Sequence, residues 1–283
     1  MQISKITAAA AVTMLFISCS SAPKKPAAEY AKRNQCTVQI ALGNRQLASG
    51  SAGDALASFS EALRLAVSTD DAELRINAEL GEGSALDALG KPDEADAVRA
   101  KALEEAEASG NRKSEAAVKI ASARALAERG TNAQQALETA LKYENDAGND
   151  SSLRGSAFTA AGLSEKTLGD YKSAETYFLK AAGLYEKDNY LEDAAYSWYL
   201  AGSARSKAGN YDDAEAALQK ALELDRRAEN TAGLALIWKG IARIRSKAGN
   251  EAGAAAARSR SAEIYRAAGM NDKADKAAAA DAE

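Results

Sequence analysis

A chain of 283 residues with net charge −4, 46 % apolar but only 6 % aromatic, falls outside several function classes because it has no histidine. That absence removes the commonest general base, every Ser–His or Cys–His nucleophile pair and all histidine metal sites, and two cysteines without a CxxC cannot build a tetrahedral zinc centre. The mild acidity, with no long basic run, gives no drive toward nucleic acid. The expectation is a non-enzyme with no catalytic residue, no cofactor and no metal. Its three prolines, Pro23, Pro26 and Pro92, leave one proline from Lys91 onward in a chain dominated by Ala, Leu, Glu, Lys and Arg. Those residues favour helix, whereas an interior proline costs about 3 kcal/mol. The fold class is all-α.

Residues 1–18, MQISKITAAAAVTMLFIS, carry one charge, Lys5, before an apolar stretch from Ile6 to Ile17. That is the length and flank of a secretory signal, too short to span a bilayer as a mature helix. Its removal takes the net charge to −5. At its end, Phe16-Ile17-Ser18-Cys19 resembles a lipobox, with Phe16 where leucine is usual. The resemblance implies that Cys19 is the lipid anchor and the new N-terminus. Cleavage by ordinary signal peptidase is the rival reading. Several acyl chains are needed for stable attachment. Ser20, standing where aspartate retains some lipoproteins in the inner membrane, leans toward the periplasmic face of the outer membrane. Residues 19–29 read as lipidated N-terminus and tether. With Cys19 consumed, Cys36 has no partner, and a small buried apolar role in the first helix is expected.

From there a glycine recurs at Gly50, Gly90, Gly130, Gly169, Gly209 and Gly249, in steps of 40, 40, 39, 40 and 40. Seven residues before each stands another small residue: Gly43, Gly83, Ala123, Gly162, Gly202 and Ala242. Two helices per period explain the spacing, with the later glycine closing the first helix. Asp170, Asn210 and Asn250 follow as candidate N-caps of the second helix, and Pro92 sits at a helix start, where it does no damage. In the second helices Ala55, Ala95, Ala174, Ala214 and Ala254 recur, with Ala62, Ala102, Ala181 and Ala221 seven residues on. Small residues a heptad apart let a neighbouring helix approach. Phe59, Phe178 and Leu218 stand four after the first alanine, and Phe158, Trp198 and Trp238 four before the small residue of the first helix. Those tryptophans are expected to be buried.

In this form the pattern resembles the tetratricopeptide repeat, W-x2-L-G-x2-Y followed by A-x3-F. The matching residues are Trp198…Ala201-Gly202, Leu42-Gly43, Ala174…Phe178 and Ala55…Phe59, over about residues 36–270. HEAT-type repeats share the length but lack the small-residue signature. The resemblance implies a right-handed α-solenoid of about six helix pairs in residues 30–270, with 271–283 as a helical cap or tail. Three departures stand out. The period is 40 and not 34, without the closing proline, as a second helix about two turns longer would give. Arg205 and Arg245 replace the late tyrosine. The third repeat, around 116–147, carries its alanine two residues early, at Ala133…Leu137, implying a turn shorter by two.

Stacked helix pairs bury one continuous core, and the resemblance implies that first helices line a concave surface suited to extended peptides or partner helices. Projected onto it, the early repeats offer Ile40, Asn44, Asn77, Leu80, Ser84 and Asp87, a mixed set. The later ones offer Lys166, Tyr196, Tyr199, Ser203, Lys207, Lys239, Arg243 and Lys247. Lys239, Arg243 and Lys247 rise along one stripe, and Tyr196 and Tyr199 share a face without an obvious packing role. The expected partner is an envelope protein or peptide with an acidic segment or a C-terminal carboxylate. A solvated face with snorkelling lysines is the bland alternative. The lysine–asparagine clamp of chaperone-binding tetratricopeptide domains is not reproduced: Asn44 matches one position, but Ile40, Gly81, Ala117 and Ala121 hold others. The expected function is therefore a membrane-anchored scaffold or adaptor. A ligand-binding accessory subunit of a periplasmic solute transporter is the alternative. Oligomeric state is not legible.

Overall fold

The computed structural model describes residues 28–279, and Cys19 with the signal-like segment lies outside them. Thirteen α-helices and one 3-10 turn make up the regular structure of the described residues, and none of it is strand. The helices are α1 (Ala28–Ser49), α2 (Ala52–Ser68), α3 (Ala72–Ala88), α4 (Pro92–Ser109), α5 (Arg112–Arg129), α6 (Ala133–Glu144), α7 (Ser151–Leu168), α8 (Tyr171–Lys187), α9 (Leu191–Lys207), α10 (Tyr211–Arg227), α11 (Thr231–Lys247), α12 (Glu251–Ala267) and α13 (Asn271–Ala278). Six pairs therefore stack in series, and α13 follows, covering Ala235, Ala262 and Tyr265 with Ala274 and Ala277. The first helix α1 begins two residues inside the segment read as a tether.

All six periodic glycines close a first helix with positive φ, from 69° at Gly130 to 91° at Gly169. An L side chain is strained there, which is why glycine recurs. Asp170 and Asn250 cap the following helices, accepting from Ser173 N at 3.0 Å and Gly253 N at 2.9 Å. Asn210, expected to do the same, makes no side-chain cap bond. A second set of caps opens first helices: Asp71, Asn111, Asp150 and Asn230 accept from the backbone N–H groups of Leu74, Lys113, Leu153 and Gly233. Pro92 is the first residue of α4, as its missing N–H allows.

Each second helix packs on its own first helix and on the next one, and several successive first helices touch directly, so the first helices form an inner layer. The small-residue register has a steric cause. A Cβ added at Gly43 would stand 2.7 Å from the Phe59 ring, and one at Gly162 would stand 2.5 Å from Phe178. Phe59, Phe178 and Leu218 are fully buried, and each needs a residue without a side chain opposite it. Cys36 is buried too, its Sγ 3.2 Å from the Ala62 carbonyl.

Four sequence expectations need correction. The tryptophans are only half-buried, and Trp198 Nε1 donates to Glu186 at 2.7 Å. The paired helices are of equal length from α9 on, 17 residues each, so the long period does not come from a longer second helix. In the third repeat the turn is not shorter by two: two residues, Thr131 and Asn132, follow Gly130 before α6, where one follows the glycine in the other pairs, and Asn132 has φ 49°. Ala136, the fourth residue of α6, then takes the place that Ala174 and Ala214 hold in α8 and α10, and Ala133 does not. The repeat is nonetheless irregular, because α6 has 12 residues and ends in a 3-10 turn, Asn145–Ala147. Lastly, Tyr196 and Tyr199 do have packing roles. They stack on each other at 6.3 Å and pack against the buried clusters around Phe178 and Leu218.

Where the family tyrosine is replaced, ion pairs tie neighbouring pairs together. Arg205 Nε donates to Glu175 at 2.8 Å, and Arg245 Nε to Glu215 at 3.2 Å. In the second repeat the phenylalanine position itself holds Arg99, 4 % exposed, donating to Asp87 and Asp96 at 2.7 Å each. Arg129 of α5 bridges to the same two carboxylates, and with Arg99 holds Asp96 down to about 2.

Candidate functional site: a concave groove with unlike ends

Three cavities lie along the inner layer. The first, about 640 Å³, is lined at the N-terminal end by Ile40, Asn44, Asn77, Leu80 and Ser84 among others, the positions projected from the early repeats. Its walls are mixed apolar and neutral-polar, with few charges.

At the C-terminal end a cavity of about 460 Å³ lies between α9 and α11. Tyr199, Ser203 and Lys207 come from α9 at i, i+4 and i+8, so one helix face delivers all three. Arg243 and Lys247 come from α11 in the same way, with Ser206 and Ser246 beside them. Leu218 and Gly240 form the apolar floor. A Cβ at Gly240 would stand 2.7 Å from the Tyr199 ring, so this glycine lets the tyrosine lie across α11. Among the described residues, Lys207 and Lys247 enter no ion pair. The lining thus brings together Tyr199, Lys207, Arg243 and Lys247 of the expected site. Lys166, Tyr196 and Lys239 are not part of it. Lys166 is close by: burial first, and then the charge of Lys207, pulls its pKa below the ordinary lysine value. Burial also pushes the Tyr196 phenol up to about 12.

Between the two lies a cavity of about 550 Å³ that sequence reasoning missed. Residues from α1, α3, α5, α7 and α9 converge there, among them Asn44, Arg124, Glu128, Ser156, Glu192 and Asp193. Arg124 is held by Glu128 at 2.8 Å, and Asp87 in the same wall by Arg99. Glu192 and Asp193 enter no ion pair among the described residues. Burial raises the pKa of both carboxyls, Glu192 rises further beside Asp193, and Arg124 only partly offsets the rise at Asp193. The signal available in the sequence was the forty-residue offset itself: Asn44, Ser84 and Arg124 share one register, but α9 joins them only through superhelical curvature.

The architecture so described is that of the tetratricopeptide solenoid. Tetratricopeptide repeats are detected at residues 156–188 and 195–227. The unmatched residues 189–194 fall in the turn and the first turn of α9, so the added length sits at the start of a first helix. In overall fold the chain is similar to BtubC from P. vanneervenii, at 17 % identity and TM-score 0.59, over 83 % of this chain and 92 % of that one. It is also similar to a Rap protein complexed with competence and sporulation factor, at 15 % identity and TM-score 0.63, over 86 % and 72 %. A third likeness is to the APC/C Cut9–Hcn1 hetero-tetramer, at 18 % identity and TM-score 0.58, over 87 % and 45 %. At such identities the likeness shows the fold alone. No curated protein matches the chain in sequence.

Proposed function

We propose that the protein is a lipid-anchored tetratricopeptide scaffold of the cell envelope, which holds an acidic segment of a partner protein in the C-terminal end of its groove. The observation that carries the binding reading is the cavity between α9 and α11, where Lys207, Arg243 and Lys247 share one lining with the Tyr199 ring. Convergent cations over an apolar floor suit carboxylates on an extended segment, which gains charge-assisted hydrogen bonds and buries its stem. Two solved neighbours, the Rap complex with competence and sporulation factor and the Cut9–Hcn1 assembly, support a partner-binding use of this fold. The anchoring part rests on Phe16-Ile17-Ser18-Cys19 alone.

The test is the affinity of a synthetic acidic peptide for the parent chain and for the Lys207/Arg243/Lys247 triple alanine variant. A loss of at least about tenfold, about 1.4 kcal/mol, is expected in the variant. Weakening by salt is expected as well, since the Debye length falls from about 10 Å at 0.1 M to 3 Å at 1 M. Equal affinity in parent and variant, with helicity intact, removes this cavity as the site.

A further inference from the structure

We propose that the helix pairs close into one full superhelical turn, sealed by Lys273 of α13 on the C-terminal end of α1, and that this seam is the gate by which a partner segment enters the groove sideways. The gate rests on the binding reading of the proposed function; the closure rests on geometry alone.

Two cavities show how tightly the stack curls. Asn44 of α1 and Asp193 of α9 line one of them, although they belong to the first and fifth pairs. Thr37 of α1 and Tyr190, just before α9, line another. The same curl brings the two ends of the described chain together. A Cβ built on Gly50, in the turn between α1 and α2, would collide with Lys273 Nζ and stand 3.2 Å from its Cε. Helix α13 packs on α12 through Ala274 and Ala277, where the first helix of a seventh pair would stand. The seventh position has come round to the first.

Charge explains why a lysine makes the contact. The C-terminal end of a helix carries partial negative charge and favours a nearby cation. Helices α5, α7, α9 and α11 supply their own from the last turn, with Arg129, Lys166, Lys207 and Lys247 among them. Helix α1 has no basic residue in its last turn. Lys273, in turn, is the third residue of α13, where the positive end of its own helix disfavours a cation. It enters no ion pair among the described residues. One contact answers both anomalies. Gly50 needs its missing side chain twice, for a φ of 85° and for the room the ammonium takes.

The seam is thin. Ser49 and Gly50 on one side and Asn271, Asp272 and Lys273 on the other are all exposed. Among the described residues, no buried apolar cluster joins α13 to α1 or α2. An exposed charge contact is weak and screened by salt, whereas successive pairs are held by buried apolar surface, so the turn parts here first. An extended segment with a folded domain at each end cannot thread a closed turn. An opening seam admits it.

The experiment locks the seam. Ser51 is the N-cap residue of α2, and aspartate caps as well as serine, so Ser51→Asp sets a carboxyl beside Lys273 without disturbing the helix. Carbodiimide condenses a carboxylate and an amine in contact into an amide. In the full-length Ser51→Asp chain, dilute and in detergent, mass spectrometry is expected to find an intramolecular amide between position 51 and Lys273. The internal standard is the Lys113–Asp150 link, whose atoms stand 2.8 Å apart. The Ser51→Asp/Lys273→Arg double variant, treated identically, stays unlocked because a guanidinium does not couple. Both chains then receive the synthetic acidic peptide, either free or flanked at each end by a small folded domain. The flanked peptide is expected to associate at least about tenfold more slowly with the locked chain than with the control, because entry then requires an opening the lock forbids. The free peptide is expected to bind both with equal affinity. Closure is overturned if the Lys113–Asp150 amide forms and the one to Lys273 does not. The gate is overturned if the locked chain takes up the flanked peptide as fast as the control. If the free peptide binds neither chain, the cationic site is wrong, and the amide still decides closure.

Discussion

Adding one methyl group at Gly162 tests the reason for the small-residue register. The new Cβ would stand 2.5 Å from Phe178 Cε1 and 2.7 Å from Cδ1. Carbon atoms in contact prefer about 3.5–4.0 Å, so ring or helix has to retreat by about 1 Å. Phe178 is fully buried between α7 and its neighbours and has no open side to move into. Overpacking of this kind costs about 1–3 kcal/mol, against a gain of up to about 1 kcal/mol from replacing glycine by alanine in a helix. Gly162→Ala should therefore destabilise by about 1–2 kcal/mol, lowering Tm by about 2–4 °C per kcal/mol in a chain of this size. Gly183 is the control, because a Cβ there meets nothing within 4 Å. Gly183→Ala should stabilise by about 0.5–1 kcal/mol. In a Phe178→Leu background the penalty at Gly162 should shrink, which a double-mutant cycle measures as coupling. Urea unfolding followed by helical circular dichroism reads all of these. If Gly162→Ala is as stable as the parent, the register has another cause and the packing account is wrong.

The remaining predictions concern charge and anchoring. Burial pushes Asp225 up to about 7, with the Asn230 amide donating to it at 3.0 Å. A carboxyl whose folded pKa lies above its unfolded value binds its proton more tightly when folded. Its contribution to stability is thus full below about pH 4 and declines as pH rises toward 7. Asp225→Asn should remove that slope from the pH dependence of the urea midpoint; an unchanged slope refutes it. Asp96 works in the opposite sense. Arg129 and Arg99 hold it down to about 2, so its contribution is present above its unfolded value, about 3.9, and is lost as pH falls through about 2. Asp96→Asn should lower stability at neutral pH and flatten its fall below pH 4, in the same assay. Cys19→Ala should move the protein from the membrane to the soluble fraction, and retention at the membrane would overturn the anchor reading.

The all-helical solenoid was legible because periodicity needs no knowledge of contacts. A glycine that must adopt positive φ can hardly be replaced, so Gly50, Gly90, Gly130, Gly169, Gly209 and Gly249 mark six turns in plain text. The small residues seven before them, and Phe59, Phe178 and Leu218, are the two sides of one steric fit, and a close fit restricts residue type at both positions. A forty-residue offset also suffices to place residues on one face of the inner layer, which is why the early groove positions could be projected.

What tertiary structure alone decided depends on side chains meeting across the curve of the superhelix. The middle cavity joins Asn44 to Asp193, almost 150 residues apart in sequence. No period predicts how far the stack curls. Arg99 could not be read as filling a phenylalanine position, because its burial depends on Asp87 and Asp96 being in reach. Tyr199, which as text looked like a docking aromatic, spends much of its surface on Gly240 and the core, and only its remaining face lines the cavity. Sequence determined the repeat, since local conformation and steric pairing act within one period. Structure determined the groove, since charge and cavity shape arise only where distant periods face each other.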